Sequence, residues 1–145
     1  MAAFWQHAKT KMKEFELEVV TGQSDGSSLQ PPAWSLSGPG AEEATSAIAS
    51  GQRTIITSIE GEDNPAVNDM TILCDPAGEP VALLSTIAVE LVPFGRVNED
   101  LARADGAVSL EAWRAQVAAD YRAANSADIA ADQGIIVETV KVVFP

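Results

Sequence analysis

Few residues in this sequence could do chemistry. There is one histidine, His7, and one cysteine, Cys74, too few for the three or four His/Cys ligands of a zinc centre, and no glycine loop ends in the Lys-Ser/Thr that cradles a triphosphate. No metal and no cofactor is expected. The sharpest local arrangement is Gly51-Gln52-Arg53-Thr54-Ile55-Ile56-Thr57-Ser58, a guanidinium followed by three hydroxyls. If this stretch is a strand, alternation puts Arg53, Ile55 and Thr57 on one face and Thr54, Ile56 and Ser58 on the other. A guanidinium and a hydroxyl sharing a face can hold a phosphate or carboxylate, but a solvated edge strand gives the same pattern, so both readings stand. His7, with no acidic neighbour in sequence, reads as a surface or capping residue, and Cys74, inside an apolar run, as buried packing. Trp5 and Trp113 fall at apolar helix positions and read as core. Trp34, between a loop and a turn, suits packing and base stacking equally.

These residues sit in a chain of 145 residues with 46% hydrophobic and 21% charged residues, expected to form one domain over 1–145. It has no apolar run of membrane-spanning length. Three lysines and three glutamates among the first 20 residues are unlike a signal peptide, so a cytoplasmic location is expected. The net charge is −12, with nine basic residues against 21 acidic ones. Lys9, Lys11 and Lys13 cluster near the start, so the remainder carries six cations among all 21 acids. Such a body cannot track a long phosphate backbone, and long duplex nucleic acid is not an expected partner. One nucleoside or a short single strand needs only one or two cations.

The elements that must position these groups follow from pattern. Residues 2–12 suit a helix with Phe4, Trp5, Ala8 and Met12 on one face. Residues 14–20 alternate acid with apolar and fit an edge strand or continued helix, and 21–32, rich in Gly, Ser and Pro, reads as a flexible internal loop. A short strand over 33–40 leads to a helix over 41–50 with Glu42 and Glu43 in its first turn and Gly51 at its left-handed end. Strands are expected at 52–59, 70–75 and 79–94, the last two joined by a turn at Pro76-Ala77-Gly78, and the last long enough to bend and serve two sides of a sheet. Asn98 and Ser109 cap two helices, the second carrying Leu110, Trp113, Val117 and Tyr121 on its core face. A polar connector over 125–134 precedes a final strand, GIIVETVKVVF. This is an α+β pattern, strands with inserted and flanking helices on a curved sheet or small barrel.

Five pieces in this order resemble the ASCH domain of the PUA-like superfamily. They are Gly51-Gln52-Arg53 before a Thr-rich strand, Asn68-Asp69 before the hairpin strand, Val92-Pro93-Phe94, Ser109-Leu110-Glu111-Ala112-Trp113-Arg114, and Val142-Val143-Phe144-Pro145. The resemblance spans about Phe4 to Pro145 and implies a PUA-like β-barrel of about five to six strands with a cleft beside the glycine turn. It also implies RNA or nucleoside binding, and in some small members hydrolysis of acetylcytidine or of RNA. The amidohydrolase members use a lysine, a threonine and a glutamate, which by position fall on Arg53, Ile56 and Asp105. Arginine does not readily give up its proton, isoleucine has no hydroxyl, and aspartate is one methylene shorter than glutamate. Gln52 also replaces a usual basic residue, and Val117 stands where some longer members have a histidine. The resulting expectation is a nucleoside- or RNA-binding module with a degenerate catalytic site. Its expected ligand-binding residues are Trp34, Ser37, Arg53, Thr54, Thr57, Ser58, Asp105 and Arg114. Two competitors remain open: a hydrolase (acetylcytidine amidohydrolase or ribonuclease) using Arg53 and Asp105, and a non-catalytic protein-interaction domain. Arg53 and Asp105 also fit a plain structural ion pair.

Overall fold

In the computed structural model, which describes residues 2–11 and 30–144, the two longest apolar runs meet at the middle of one sheet. The elements are α1 (Ala2–Lys11), β1 (Ala33–Ser35), α2 (Ala41–Ala49), β2 (Ile55–Ile59), β3 (Met70–Cys74), β4 (Pro80–Pro93), a single 3-10 turn (Phe94–Arg96), α3 (Glu99–Ala104), α4 (Leu110–Asn125) and β5 (Gly134–Phe144). The five strands lie in the order β1-β3-β4-β5-β2, with β1 parallel to β3 and every other pair antiparallel. The sheet curls into a half-barrel, the α+β form that the sequence pattern implied. The expected strand or helix over 14–20 and most of the expected loop over 21–32 lie outside the described residues.

The curl has a local cause. The first half of β4 pairs with β3, from Cys74↔Pro80 to Met70↔Ser85, while β5 follows β4 from Phe144↔Leu83 to Gly134↔Pro93. Register shifts at Leu83/Leu84 and Thr86/Ala88 interrupt the β4–β5 ladder, and each inserted residue bends and twists the strand. Alternation then sorts the side chains. Ile72, Cys74 and Leu83 pack under α1 with Trp5 and Ala8. Leu73, Ala82, Leu84 and Val140 face the other way, toward Ile48 of α2, with Trp34 and Ile56 at their margin. A third cluster, around Val97, Ala102, Trp113 and Ile135, joins α3 and α4 to the far end of the sheet.

The helix signals act as their chemistry requires. Asn98 accepts from Leu101 N–H at 2.8 Å and Ser109 from Ala112 N–H at 3.0 Å, the expected N-caps. Gly51 follows α2 at φ 81°, a left-handed position that favours glycine, and its N–H bonds Ile48 C=O at 3.1 Å. The strand expected over 52–59 begins only at Ile55. Arg53 N–H still donates to Ala47 C=O at 3.0 Å, so the end of α2 holds this segment out of the ladder. The strand expected over 33–40 is likewise limited to Ala33–Ser35. Between β3 and β4, the Asp75 carboxylate accepts from Ala77 and Glu79 N–H and fixes the expected turn. Cys74 is buried; burial first, and then the neighbouring Asp75 charge, push its thiol above the ordinary value, as suits a packing residue. His7 lies on α1 with its ring centroid 5.2 Å from that of Phe144. Among the described residues no helix is long and apolar enough to cross a membrane.

Candidate functional site

The strand β2 divides two chemically different places. On one face Arg53 and Thr57 meet Asp105, the residue that ends α3. Arg53 Nη2 donates to Asp105 Oδ1 at 2.8 Å, and the Thr57 backbone N–H donates to the same oxygen at 2.9 Å. Oδ2 accepts from the Thr57 hydroxyl at 2.5 Å and from Trp113 Nε1 at 2.9 Å. Each carboxylate oxygen thus takes two donors, which fills its lone-pair capacity. The Arg53 and Asp105 side chains are only 14% and 12% exposed, so this ion pair is shielded from bulk water. Arg53 is aimed by a further bond from Nε to Ile55 C=O at 3.0 Å.

Besides the Gly51-Gln52-Arg53 piece that supplies Arg53, two more of the sequence motifs build this hub. Trp113, from the Ser-Leu-x-x-Trp-Arg piece, stacks on Phe94 of the Val-Pro-Phe piece with ring centroids 5.7 Å apart. Arg114 donates from Nη2 to the carbonyls of Gly95 and Val97 at 3.3 Å each, tying α4 to the 3-10 corner. Gly106 follows Asp105 at φ 93°, and a Cβ there would lie 3.1 Å from Arg53 Nη1. Both the backbone conformation and the guanidinium therefore favour glycine at this position.

On its other face β2 borders an open cleft of about 610 Å³, a volume typical of small-ligand sites. Its floor carries Ile56, Leu84, Val140, Thr86 and Glu138; Trp34 stands on one wall, and Asp63, Asn64 and Asp69 lie in the loop before β3. Ile56 and Glu138 are register partners on adjacent strands, which puts the isoleucine beside the carboxylate. The Thr86 hydroxyl donates to Glu138 Oε2, while Oε1 has no hydrogen-bond partner among the described residues. Three carboxylates line this cleft, and no lysine, arginine or histidine does among the described residues.

The expected site residues therefore separate. Trp34, Thr57 and Ser58 line the cleft. Arg53 and Asp105 converge with each other but sit behind β2, and Arg53 borders a separate groove with Arg103 and Gly106. Thr54 is exposed and its carbonyl accepts from Val140 N–H; Ser37 is exposed and outside the cleft lining; Arg114 braces the 3-10 corner. The threonine that joins Arg53 is Thr57, on the face that alternation gave it, while residue 56 faces the cleft. The β2–β5 register is unbroken, so no bulge is involved. Sequence reasoning passed over Glu138, Thr86, Asp63 and Asp69. Glu138 had a detectable signature, a carboxylate in the middle of the apolar run GIIVETVKVVF, where burial makes an idle charge costly.

Known proteins share this architecture. No curated protein matches the chain in sequence. Among solved structures, an ASCH domain from Lactobacillus crispatus JV V101 superposes with a TM-score of 0.72 at 20% identity, covering 96% of each chain. A protein from Enterococcus faecalis V583 gives 0.69 at 23% identity, covering 91% of this chain and 90% of its own. At these identities the two structures speak for the fold. The ASCH domain model matches residues 33–144, the whole span from Trp34's strand to β5, and by that match the chain belongs to the ASCH domain family.

Proposed function

We propose that this protein binds a nucleoside in the open cleft and does not turn it over. The observation that carries the reading is the cleft's make-up: a half-buried Trp34 wall, an apolar floor, and carboxylate and hydroxyl groups at Glu138, Thr86, Asp63 and Asp69. An indole face stacks on any base, and carboxylates accept hydrogen bonds from base N–H and ribose O–H groups. With no basic lining residue among those described, the cleft favours a nucleoside over its phosphate esters and over a longer RNA strand. The hydrolase reading through Arg53 and Asp105 is weaker, because a carboxylate whose oxygens already hold four donors has no lone pair aimed at a substrate proton. The test is calorimetric titration with the four common ribonucleosides and acetylcytidine, on the parent and on Trp34→Ala. The expected result is saturable binding that Trp34→Ala weakens by about 1–3 kcal/mol, with acetylcytidine recovered intact. Binding untouched by Trp34→Ala, or no binding, overturns the reading, and acetylcytidine turnover overturns its non-catalytic part.

A further inference from the structure

Resting on the nucleoside reading, we infer that the ligand for which this cleft is built carries a positive charge on its ring: a heteroaromatic cation, in preference to a neutral base. The preference originates at Glu138. Its Oε2 is held by Thr86, a residue only 2% exposed, so the carboxylate is oriented from inside the sheet. Around it the floor is Ile56, Leu84 and Val140, apolar side chains that lower the local dielectric and strengthen a charge interaction made against them. Yet Glu138 has no ion-pair partner among the described residues: the described ion pairs engage Asp105, Glu99 and Asp128.

The hub on the other face of β2 shows how this molecule treats a half-buried carboxylate with a structural role, for there it supplies a guanidinium at 2.8 Å. At Glu138 that counter-charge is missing, and the neighbouring charged lining residues, Asp63 and Asp69, add to the same sign. A half-buried carboxylate without a counter-charge gains most from a partner that brings the positive charge with it. A planar ligand lying on Trp34 places such a charge against the indole face, adding a cation–π attraction to the stacking. A metal ion does not fit as that partner, since no three His, Cys, Asp or Glu side chains among the described residues converge as ligands. A phosphate-bearing ligand meets repulsion from all three carboxylates.

The experiment compares matched pairs that differ in ring charge: adenosine against 1-methyladenosine, and guanosine against 7-methylguanosine, at slightly acidic pH where both methylated rings are cations. Dissociation constants are measured by calorimetry at low and high salt, on the parent, on Glu138→Gln and on the exposed-rim variant Asp69→Asn. The expected result is tighter binding of the cation in at least one pair, by about tenfold or more, shrinking with salt. The preference should be lost in Glu138→Gln and reduced in Asp69→Asn, each checked for folding by its melting curve. Equal binding of neutral and charged partners overturns this inference and leaves the nucleoside reading standing. A preference that survives in Glu138→Gln overturns it as well, and failure of all four ligands to bind removes the nucleoside reading together with it.

Discussion

The two faces of β2 meet carboxylates in opposite circumstances, Asp105 from the end of α3 and Glu138 from β5. Asp105 is mostly shielded, saturated by four donors and neutralised by Arg53; Glu138 accepts one bond from Thr86 and faces a cleft with no cation among the described residues. Both are polar groups in largely apolar surroundings, but only the first is satisfied by the chain itself. A saturated carboxylate is spent on holding α3, α4 and β2 together, whereas an incompletely satisfied one has capacity left for a ligand. The place that resembles a catalytic constellation is thus built as a brace, and of the lysine, threonine and glutamate positions only the threonine's, Ile56, lies in the open cleft.

Three substitutions probe whether the two carboxylates differ in this way, and a fourth sets an exposed carboxylate, Glu99, beside them. The largest effect is expected for Asp105→Ala, which leaves Arg53, the Thr57 hydroxyl and N–H and Trp113 Nε1 without their acceptor. A loss of about 3–5 kcal/mol in denaturant unfolding is expected, and a loss under about 1 kcal/mol would show the hub to be no brace. Thr57→Val removes one hydrogen bond to a charged group and should cost about 1.5–3 kcal/mol by the same assay. Glu138→Gln is the converse: stability within about 0.5 kcal/mol of the parent, because Thr86 can still donate to the amide oxygen, and a change confined to binding. The smallest effect concerns pH. The exposed Glu99 carboxyl is held below its ordinary 4.5, first by the Leu110 N–H and also by Arg103. A lowered carboxylate value adds stability that is complete above 4.5 and disappears as pH falls through the lower native value. Glu99→Gln should therefore flatten the acid side of a melting-temperature profile and leave the slope near neutrality untouched.

The fold was largely legible because its signals are local. Asn98 and Ser109 cap helices from one residue each, Gly51 stops α2, and the length of the run ending at Pro93 required a strand that serves two partners. Five motifs in order then pointed to the family. The site was legible only in part, because it depends on which face of a strand meets which distant residue. Arg53 and Thr57 were placed together by alternation, but whether they looked into a cleft or into the protein depended on Asp105, 48 residues beyond Thr57. Glu138 was missed because basic residues are the obvious holders of an anionic ligand, and this chain lines its cleft with acids instead.

The Asp105 hub also sets an order of events for folding. Its bond to Trp113 spans eight residues, while its bonds to Thr57 span 48. Loop-closure entropy makes the longer connection costlier by about 1.6 kcal/mol, so the α3–α4 corner can form around Asp105 before β2 arrives. Thr57 would then join after the rate-limiting step, and its substitution would accelerate unfolding while leaving the refolding rate nearly unchanged. A chevron plot of Thr57→Val reads this directly, and slowed refolding would place β2 in the nucleus instead.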